Sequence, residues 1–235
     1  MRRYSVIICS YNKLESLKKV VASLSEIDRD NEYILSDDYS TDGTIEWAKE
    51  SGFFDQIIEM KEDKGYCLNT VRNNGIRAAK NQIAVLLDAD CVPEPDYFNG
   101  HDIVFDKTLR CISVGFTNFF NTDGTKLLKN NHRLKWLGTN KQFDIKWNAV
   151  YGGNIAIPRN IWAEVGQFDE RFNGAWGLDD AEFAYRATTL DIPMVIHNLS
   201  LVRHLQHPVS GTVEMRSGRG PNTKKFKDKH GFMPC

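Results

Sequence analysis

Two periods of apolar residues alternate along the first ninety positions. Tyr4-Ser5-Val6-Ile7-Ile8-Cys9 is a short β-rich run, and Leu14, Leu17, Val20, Val21 and Leu24 then recur at helical spacing. The pattern predicts a strand over 4–9 and an amphipathic helix over 14–24. It continues with strands over 33–36 and 56–60, helices over 44–50 and 67–79, and the unbroken run Ile83-Ala84-Val85-Leu86-Leu87, which suits a parallel strand covered on both faces. Such repetition predicts an open α/β sheet with right-handed crossovers, whose ligands bind at the carboxyl ends of the strands. The residues at those ends are Ser10-Tyr11-Asn12, Asp37-Asp38 and Asp88-Ala89-Asp90. The second half is less regular, with strands predicted over 111–116 and 150–157, a helix over 179–189 and a β-rich run from Leu201. Beyond residue 215 the chain turns polar and basic, and Gly218, Gly220 and Pro221 predict a mobile tail over 216–235. One domain is expected over 1–215, divided near residue 100.

Composition narrows the class. With 235 residues, 41% of them hydrophobic, there is enough apolar material for one substantial core and too little length for two enzyme domains. Lys plus Arg number 30 against 31 Asp plus Glu, so nothing in the overall charge points to nucleic acid or to an anionic membrane, and any charged site is local. The cysteines at 9, 67, 91, 111 and 235 are odd in number and lack CxxC spacing, which fits a reducing compartment better than a disulfide framework or a zinc site. The first apolar run is too short for a signal-peptide core, and no run approaches the roughly 18–20 apolar residues of a membrane span. A cytoplasmic location is expected, with peripheral membrane contact through the basic 216–229 segment left open.

Asp88 and Asp90 directly follow an apolar strand. Residues two apart on extended backbone face the same side, so the carboxylates are placed to converge. Converging carboxylates repel unless a proton or cation intervenes, and hard divalent ions such as Mg²⁺ or Mn²⁺ take such oxygens together with substrate phosphates. The alternative is that both merely end the strand, a common role for Asp in turns.

Ser10-Tyr11-Asn12, Asp37-Asp38-Tyr39-Ser40-Thr41-Asp42, Arg72-Asn73-Asn74-Gly75 and Asp88-Ala89-Asp90, in this order, resemble the family 2 glycosyltransferases of GT-A fold. The resemblance implies a Rossmann-like open mixed sheet flanked by helices, with residues 1–100 binding a nucleotide sugar and 101–215 an acceptor. It implies that Cys9, Tyr11 and Asp38 cradle the uracil of a UDP-sugar held at Asp88-Ala89-Asp90, that Asp88 meets the ribose or donor sugar, and that Asp90 meets the metal. An aromatic ring stacks on a pyrimidine and a carboxylate accepts its ring N–H, so the chemistry agrees. Arg72 is expected near the donor, or else as a solvated charge on its helix. Tyr39 stands where the family usually has Gly, so a left-handed turn is not expected there.

Gly152-Gly153-Asn154-Ile155-Ala156-Ile157, Gly166-Gln167-Phe168-Asp169 and Trp176-Gly177-Leu178-Asp179-Asp180-Ala181-Glu182-Phe183 are similar to the acceptor-side segment of β-1,4-galactosyltransferases, chondroitin-polymerase-type enzymes and polypeptide N-acetylgalactosaminyltransferases. Paired glycines such as Gly152 and Gly153 allow close approach to a sugar, or make a strand-edge bend. Trp176 offers a face to a pyranose, or is a core aromatic. Asp179 and Asp180 open a helix, where Asp is a preferred cap. The resemblance implies more: Asp180 is the base that takes the acceptor proton, Asp179 holds acceptor hydroxyls, and the reaction inverts the anomeric centre. It further makes His204 a metal ligand, with His207 a weaker candidate, and an imidazole in the shell favours Mn²⁺ over Mg²⁺. Glu182 and Arg186, four apart, read as a helix-surface pair.

The expected activity is metal-dependent transfer of a hexose or N-acetylhexosamine from a UDP-sugar to a hydroxyl or thiol acceptor on a glycan or peptide. The rivals are a nucleotidyltransferase, disfavoured because no glycine-rich loop follows the first strand, and a non-catalytic carbohydrate-binding protein of the same fold. Basic and aromatic residues interleaved over 126–147 suit an anionic glycan or a peptide, or simply a solvated helix face.

Overall fold

A computed structural model describes residues 2–27, 30–120, 142–206 and 220–234. His207 and most of the 126–147 stretch lie outside the described residues. The first half alternates as its periodicity predicts: β1 (Tyr4–Ser10), α1 (Leu14–Glu26), β2 (Glu32–Asp37), α2 (Thr44–Ser51), β3 (Gln56–Glu59), α3 (Leu68–Ala78) and β4 (Ile83–Asp88). Then follow β5 (Cys91–Pro93), α4 (Tyr97–Phe105), β6 (Ile112–Phe120), β7 (Gln142–Asp144), β8 (Asn154–Pro158), α5 (Arg159–Val165), α6 (Asp179–Thr188), β9 (Met194–Leu205) and α7 (Pro221–His230). The strands join in one mixed sheet of order β3-β2-β1-β4-β8-β6-β9-β5, with β7 on β9. The first four are parallel, β8 runs antiparallel to β4, and β5 runs antiparallel to β9.

Both faces of this sheet are covered. Val6 and Ile8 of β1 pack with Leu17, Val20 and Leu24 of α1, while Ile7 packs on the other face with Val71 and Ile76 of α3. Since successive side chains point to opposite faces, each face of β1 and β4 meets a packed layer, which is why 83–87 is unbroken, while the buried Ser5 of β1 is satisfied by Glu32. Gly75 is required where α3 meets β1, because a Cβ there would overlap the Ile7 side chain.

Departures from the sequence reading have local causes. The strand expected over 150–157 begins only at Asn154, because Gly152 and Gly153 form a turn. Helix α4, absent from the predicted elements, buries Tyr97, Phe98, Gly100, His101, Val104 and Phe105 along one face, but Gly100 and His101 on that face and Ile103 off it blur the apolar stripe. Glu182 is not on the surface at all. It is fully buried and receives Arg186 Nε (2.8 Å), Lys229 Nζ (2.6 Å) and His230 Nε2 (3.1 Å). Burial works against its charge, but Arg186 and Lys229 together hold its carboxyl below the usual range.

The mobile tail is likewise corrected for residues 221–230, which are α7. Its Phe226 is completely buried and stacks on Trp147 at 5.5 Å and 14°, while Lys229 also bonds Asp169. These partners are all distant in sequence, so a segment that looks polar by composition is ordered by contacts its own sequence does not announce. Among the described residues no helix is long and apolar enough to cross a membrane.

Candidate active site

The carboxyl ends of β2, β1 and β4 stand side by side, with Cys9 paired to Ser36 on one side and to Asp88 on the other. Cys9 is buried and its carbonyl accepts the Ala89 N–H at 2.9 Å. Burial raises its thiol pKa, which keeps the thiol protonated. The loops after β1 and β2 are laced together: Asn12 N–H donates to Ser40 Oγ, and Thr41 N–H donates to Asn12 Oδ1, each at 2.7 Å. Asn12 and Tyr39 both adopt left-handed backbone, with φ of 51° and 67°. The turn not expected at Tyr39 therefore forms without glycine, in a region where non-glycine residues are strained and cluster at functional sites. Tyr11 and Tyr39 keep substantial ring surface exposed, 48% and 39%. Asp38 is buried beside them, with the Cys67 N–H donating to its Oδ2 at 2.8 Å. Burial, with Asp37 and Asp63 nearby, pushes its pKa up to about 6.

The second group forms around Arg72. This residue is no solvated charge: it is 2% exposed, and its Nη1 lies 2.5 Å from Asp179 Oδ2. Burial opposes its charge, but Asp179, Asp88 and Asp180 surround it and raise its pKa. Gly153 lies against Asp88 so closely that a Cβ would overlap the carboxylate, and its carbonyl accepts the Asp88 N–H at 3.1 Å. Gly152 is pressed between Arg72 and Asp180, and its N–H donates to Asp180 Oδ2 at 2.8 Å. The paired glycines therefore let the turn before β8 pass against Arg72, Asp88 and Asp180. Burial first, and Asp179 second, raise the Asp180 pKa to about 6. Asp88 is raised as well, mainly by burial, with Arg72 opposing. Gly153→Ala is expected to reduce activity at least about 100-fold, because an atom placed on Asp88 displaces the carboxylate itself. Full activity with an unchanged melting temperature would show that this packing is dispensable.

The third group is carried by the β5–β9 ladder. Cys91 pairs across it with His204, and the Leu205 N–H donates to the Asp90 carbonyl at 2.8 Å. This pairing brings a histidine more than a hundred residues away to the acidic triplet. His204 Nε2 lies 3.5 Å from Asp90 Oδ1, and Asp90, Cys91 and His204 place ligand atoms within 4.8 Å of one another. A carboxylate and an imidazole suit a transition ion better than Mg²⁺. On the other side Lys13 Nζ is 3.3 Å from Asp90 Oδ2. Asp88 is not part of this cluster, since β4 ends at Asp88 and the chain turns at Ala89 and Asp90. The two-residue period that predicted converging carboxylates holds only on extended backbone.

A cleft of about 540 Å³ joins the second and third groups. It is lined among others by Arg72, Asp88, Gly153, Trp176, Asp180 and His204. Trp176 is 51% exposed, so the core-aromatic alternative is excluded. Cys9, Tyr11 and Asp38 do not line this cleft but sit at the neighbouring strand ends. The sequence reading missed Tyr66 and Tyr151, which line it, and Asn222 and Thr223 of α7, which also do. Lone tyrosines carry no motif, and α7 was read as tail.

The sequence model of the family described as Glycosyl transferase family 2 matches residues 5–166. The chain belongs to glycosyl transferase family 2. The chain is 26% identical over 222 residues to a chondroitin synthase of Escherichia coli, covering 77% of this chain and 32% of the relative. It is 25% identical over 236 residues to a validoxylamine A glucosyltransferase of Streptomyces hygroscopicus subsp. jinggangensis, covering 82% and 53%. The chain thus spans about a third to a half of the length of these relatives. Among solved structures it resembles GalNAc-T7 with UDP, GalNAc and Mn²⁺, with a TM-score of 0.72 at 18% identity, covering 99% of this chain and 55% of that one. It also resembles the mannosyltransferase PcManGT of Pyrobaculum calidifontis with GDP-Man and Mn²⁺, with a TM-score of 0.69 at 19% identity, covering 99% and 66%. These likenesses establish the GT-A fold, and family membership sets aside the nucleotidyltransferase reading.

Proposed function

We propose that the transferase moves a hexosyl or N-acetylhexosaminyl group from a UDP-sugar to a hydroxyl or thiol on a glycan or peptide, inverting the anomeric centre. The observation that carries this reading is the Asp180 carboxylate. It stands in the same cleft as Asp88, Arg72 and His204, its Oδ2 held by the Gly152 N–H. Tyr11 stacks on the uracil and Asp38 accepts its ring N–H, while Cys9 and Ala89 give that end its shape. Asp88, flanked by Arg72, meets the donor sugar. Asp90 and His204 are the residues to hold Mn²⁺ or Mg²⁺. When bound, that ion neutralises charge on the leaving diphosphate. Gly153, Trp176 and Asp179 form the acceptor side, Asp179 anchored by Arg72 and Trp176 offering its face to a sugar. Asp180 then takes the acceptor proton as the oxygen attacks.

Similarity to structures holding UDP, UDP-GlcNAc or GDP-Man supports a nucleotide-sugar donor. Release of UDP from UDP-glucose, UDP-galactose, UDP-GlcNAc and UDP-GalNAc, with GDP-mannose as comparison, tests the donor, and the anomeric configuration of the product tests inversion. Failure to bind any UDP-sugar would sink the reading, and binding without turnover would favour a non-catalytic carbohydrate-binding protein.

The same assay tests the base. Asp180 is active when deprotonated, and its pKa is raised to about 6. Activity is therefore expected to be flat above neutrality and to fall about tenfold per pH unit below about 6. An unperturbed carboxylate would place the fall near pH 4.

A further inference from the structure

The acceptor side of the cleft depends on a loop with little structure of its own. Residues 173–178 link a short 3-10 turn (Glu170–Phe172) to α6, and within this stretch Gly174, Gly177 and Leu178 all adopt positive φ, at 85°, 99° and 62°. The loop carries Trp176 and runs directly into Asp179 and Asp180. Backbone of this kind holds one conformation only when its surroundings over-determine it.

Asn173 and Gly174 are tied to α3, Tyr66 and Lys225, whereas the Ala175 and Gly177 carbonyls are both held by one buried side chain. Asn222, in the first turn of α7 and 1% exposed, donates through Nδ2 to the carbonyls of Phe172 (3.0 Å), Ala175 (2.8 Å) and Gly177 (2.8 Å). Three acceptors around one nitrogen, whose two hydrogens serve them with one shared, settle which way the amide points. Only an NH₂ group fits, because a carboxylate would set lone pairs against three carbonyls and an apolar residue would leave them unpaired. Asn222 Oδ1 has no hydrogen-bond donor among the described residues, so the nitrogen is what this position requires. The rest of α7 is anchored independently: Phe226 stacks on Trp147, and Lys229 bonds Asp169 and Glu182. The helix is a fixed post, and its first turn grips the loop.

We propose that Asn222 is a positioning residue for the acceptor, holding the 173–178 loop so that Trp176 and Asp180 keep their place opposite Asp88. The assignment of that side to the acceptor rests on the function proposed above. The hydrogen-bond clasp itself does not. Helix α7 therefore belongs to the catalytic unit, and a chain ending before it would keep the donor strands and lose acceptor recognition.

Asn222→Asp, nearly isosteric, and Asn222→Ala test this, with the exposed Lys224→Met as a control on the same helix. The readouts are hydrogen–deuterium exchange, titration with UDP and Mn²⁺, and transfer to p-nitrophenyl pyranosides. Both Asn222 variants are expected to exchange over 173–178 at least about 10-fold faster, with β1 and β4 unchanged, since local opening tracks local contacts. UDP affinity is expected within about twofold of wild type, and transfer to fall chiefly through a higher acceptor KM. Wild-type exchange over 173–178 in both variants overturns the proposal, as does UDP binding that weakens in step with transfer. If the wild-type chain binds no UDP, the donor reading fails, while loop exchange still decides the role of Asn222.

Discussion

Asp180→Asn is expected to lower transfer by about 10²–10⁴-fold, the usual contribution of a positioned general base, while UDP binding and the fold persist. The substitution keeps the shape of the side chain and the acceptor for one of the two N–H groups that hold it, Gly152 on Oδ2 and Ala181 on Oδ1. The Arg72–Asp179 pair beside it is untouched. Thermal stability should change little, because the lost acceptor offsets the relief of a buried charge. The Asp180 pKa is raised in the fold to about 6, so its ionisation disfavours the folded state as pH rises from the ordinary carboxylate value towards about 6, and an amide has no charge to bury. The measurement is acceptor-dependent UDP release beside calorimetric titration with UDP. Turnover near the wild-type level would remove Asp180 from the mechanism and leave Asp179, already committed to Arg72, as a poorer base.

Chelation of divalent ions is expected to reduce transfer at least about 100-fold, with recovery on adding Mn²⁺, since a leaving diphosphate needs its charge offset. His204→Ala should weaken Mn²⁺ binding and shift the concentration needed for half-maximal activity upward by about 10-fold or more. The geometry explains why the triplet alone does not suffice. Asp88 is turned to Gly153 and Arg72, leaving Asp90 as the carboxylate beside His204. Lys13, 3.3 Å from Asp90, is a ready counter-charge when no cation is near. Titration of Mn²⁺ against the variant and the parent decides the matter. Activity that survives exhaustive chelation would rule out metal dependence and leave Lys13 and Arg72 as the cations available to the diphosphate.

Much of this site was legible because its parts are local. Ser10-Tyr11-Asn12, Asp37-Asp38 and Asp88-Ala89-Asp90 each follow an apolar strand, and strand ends in a parallel sheet are where ligands collect. The helix over 179–189 was legible from its own periodicity, and two acids at its start stood out. Other features were misread because their meaning depends on partners far along the chain. Glu182 and Arg186 have the spacing of a surface pair, but Lys229 and His230 arrive to bury the glutamate. Tyr39 has the wrong residue type for a left-handed turn, yet the Asn12–Ser40 bonding defines the loop around it.

The sequence by itself determined the alternating strands and helices, the order of the motifs and the residue types at the strand ends, because apolar periodicity and local backbone chemistry act over a few neighbouring residues. Only the tertiary structure decided that Arg72 is a buried partner of Asp179, that the β5–β9 ladder sets His204 beside Asp90 rather than Asp88, and that a polar tail is the helix gripping the 173–178 loop. Each of these rests on contacts between residues that the fold alone brings together, and pairing a buried charge or carbonyl leaves no trace in the residues adjacent to it.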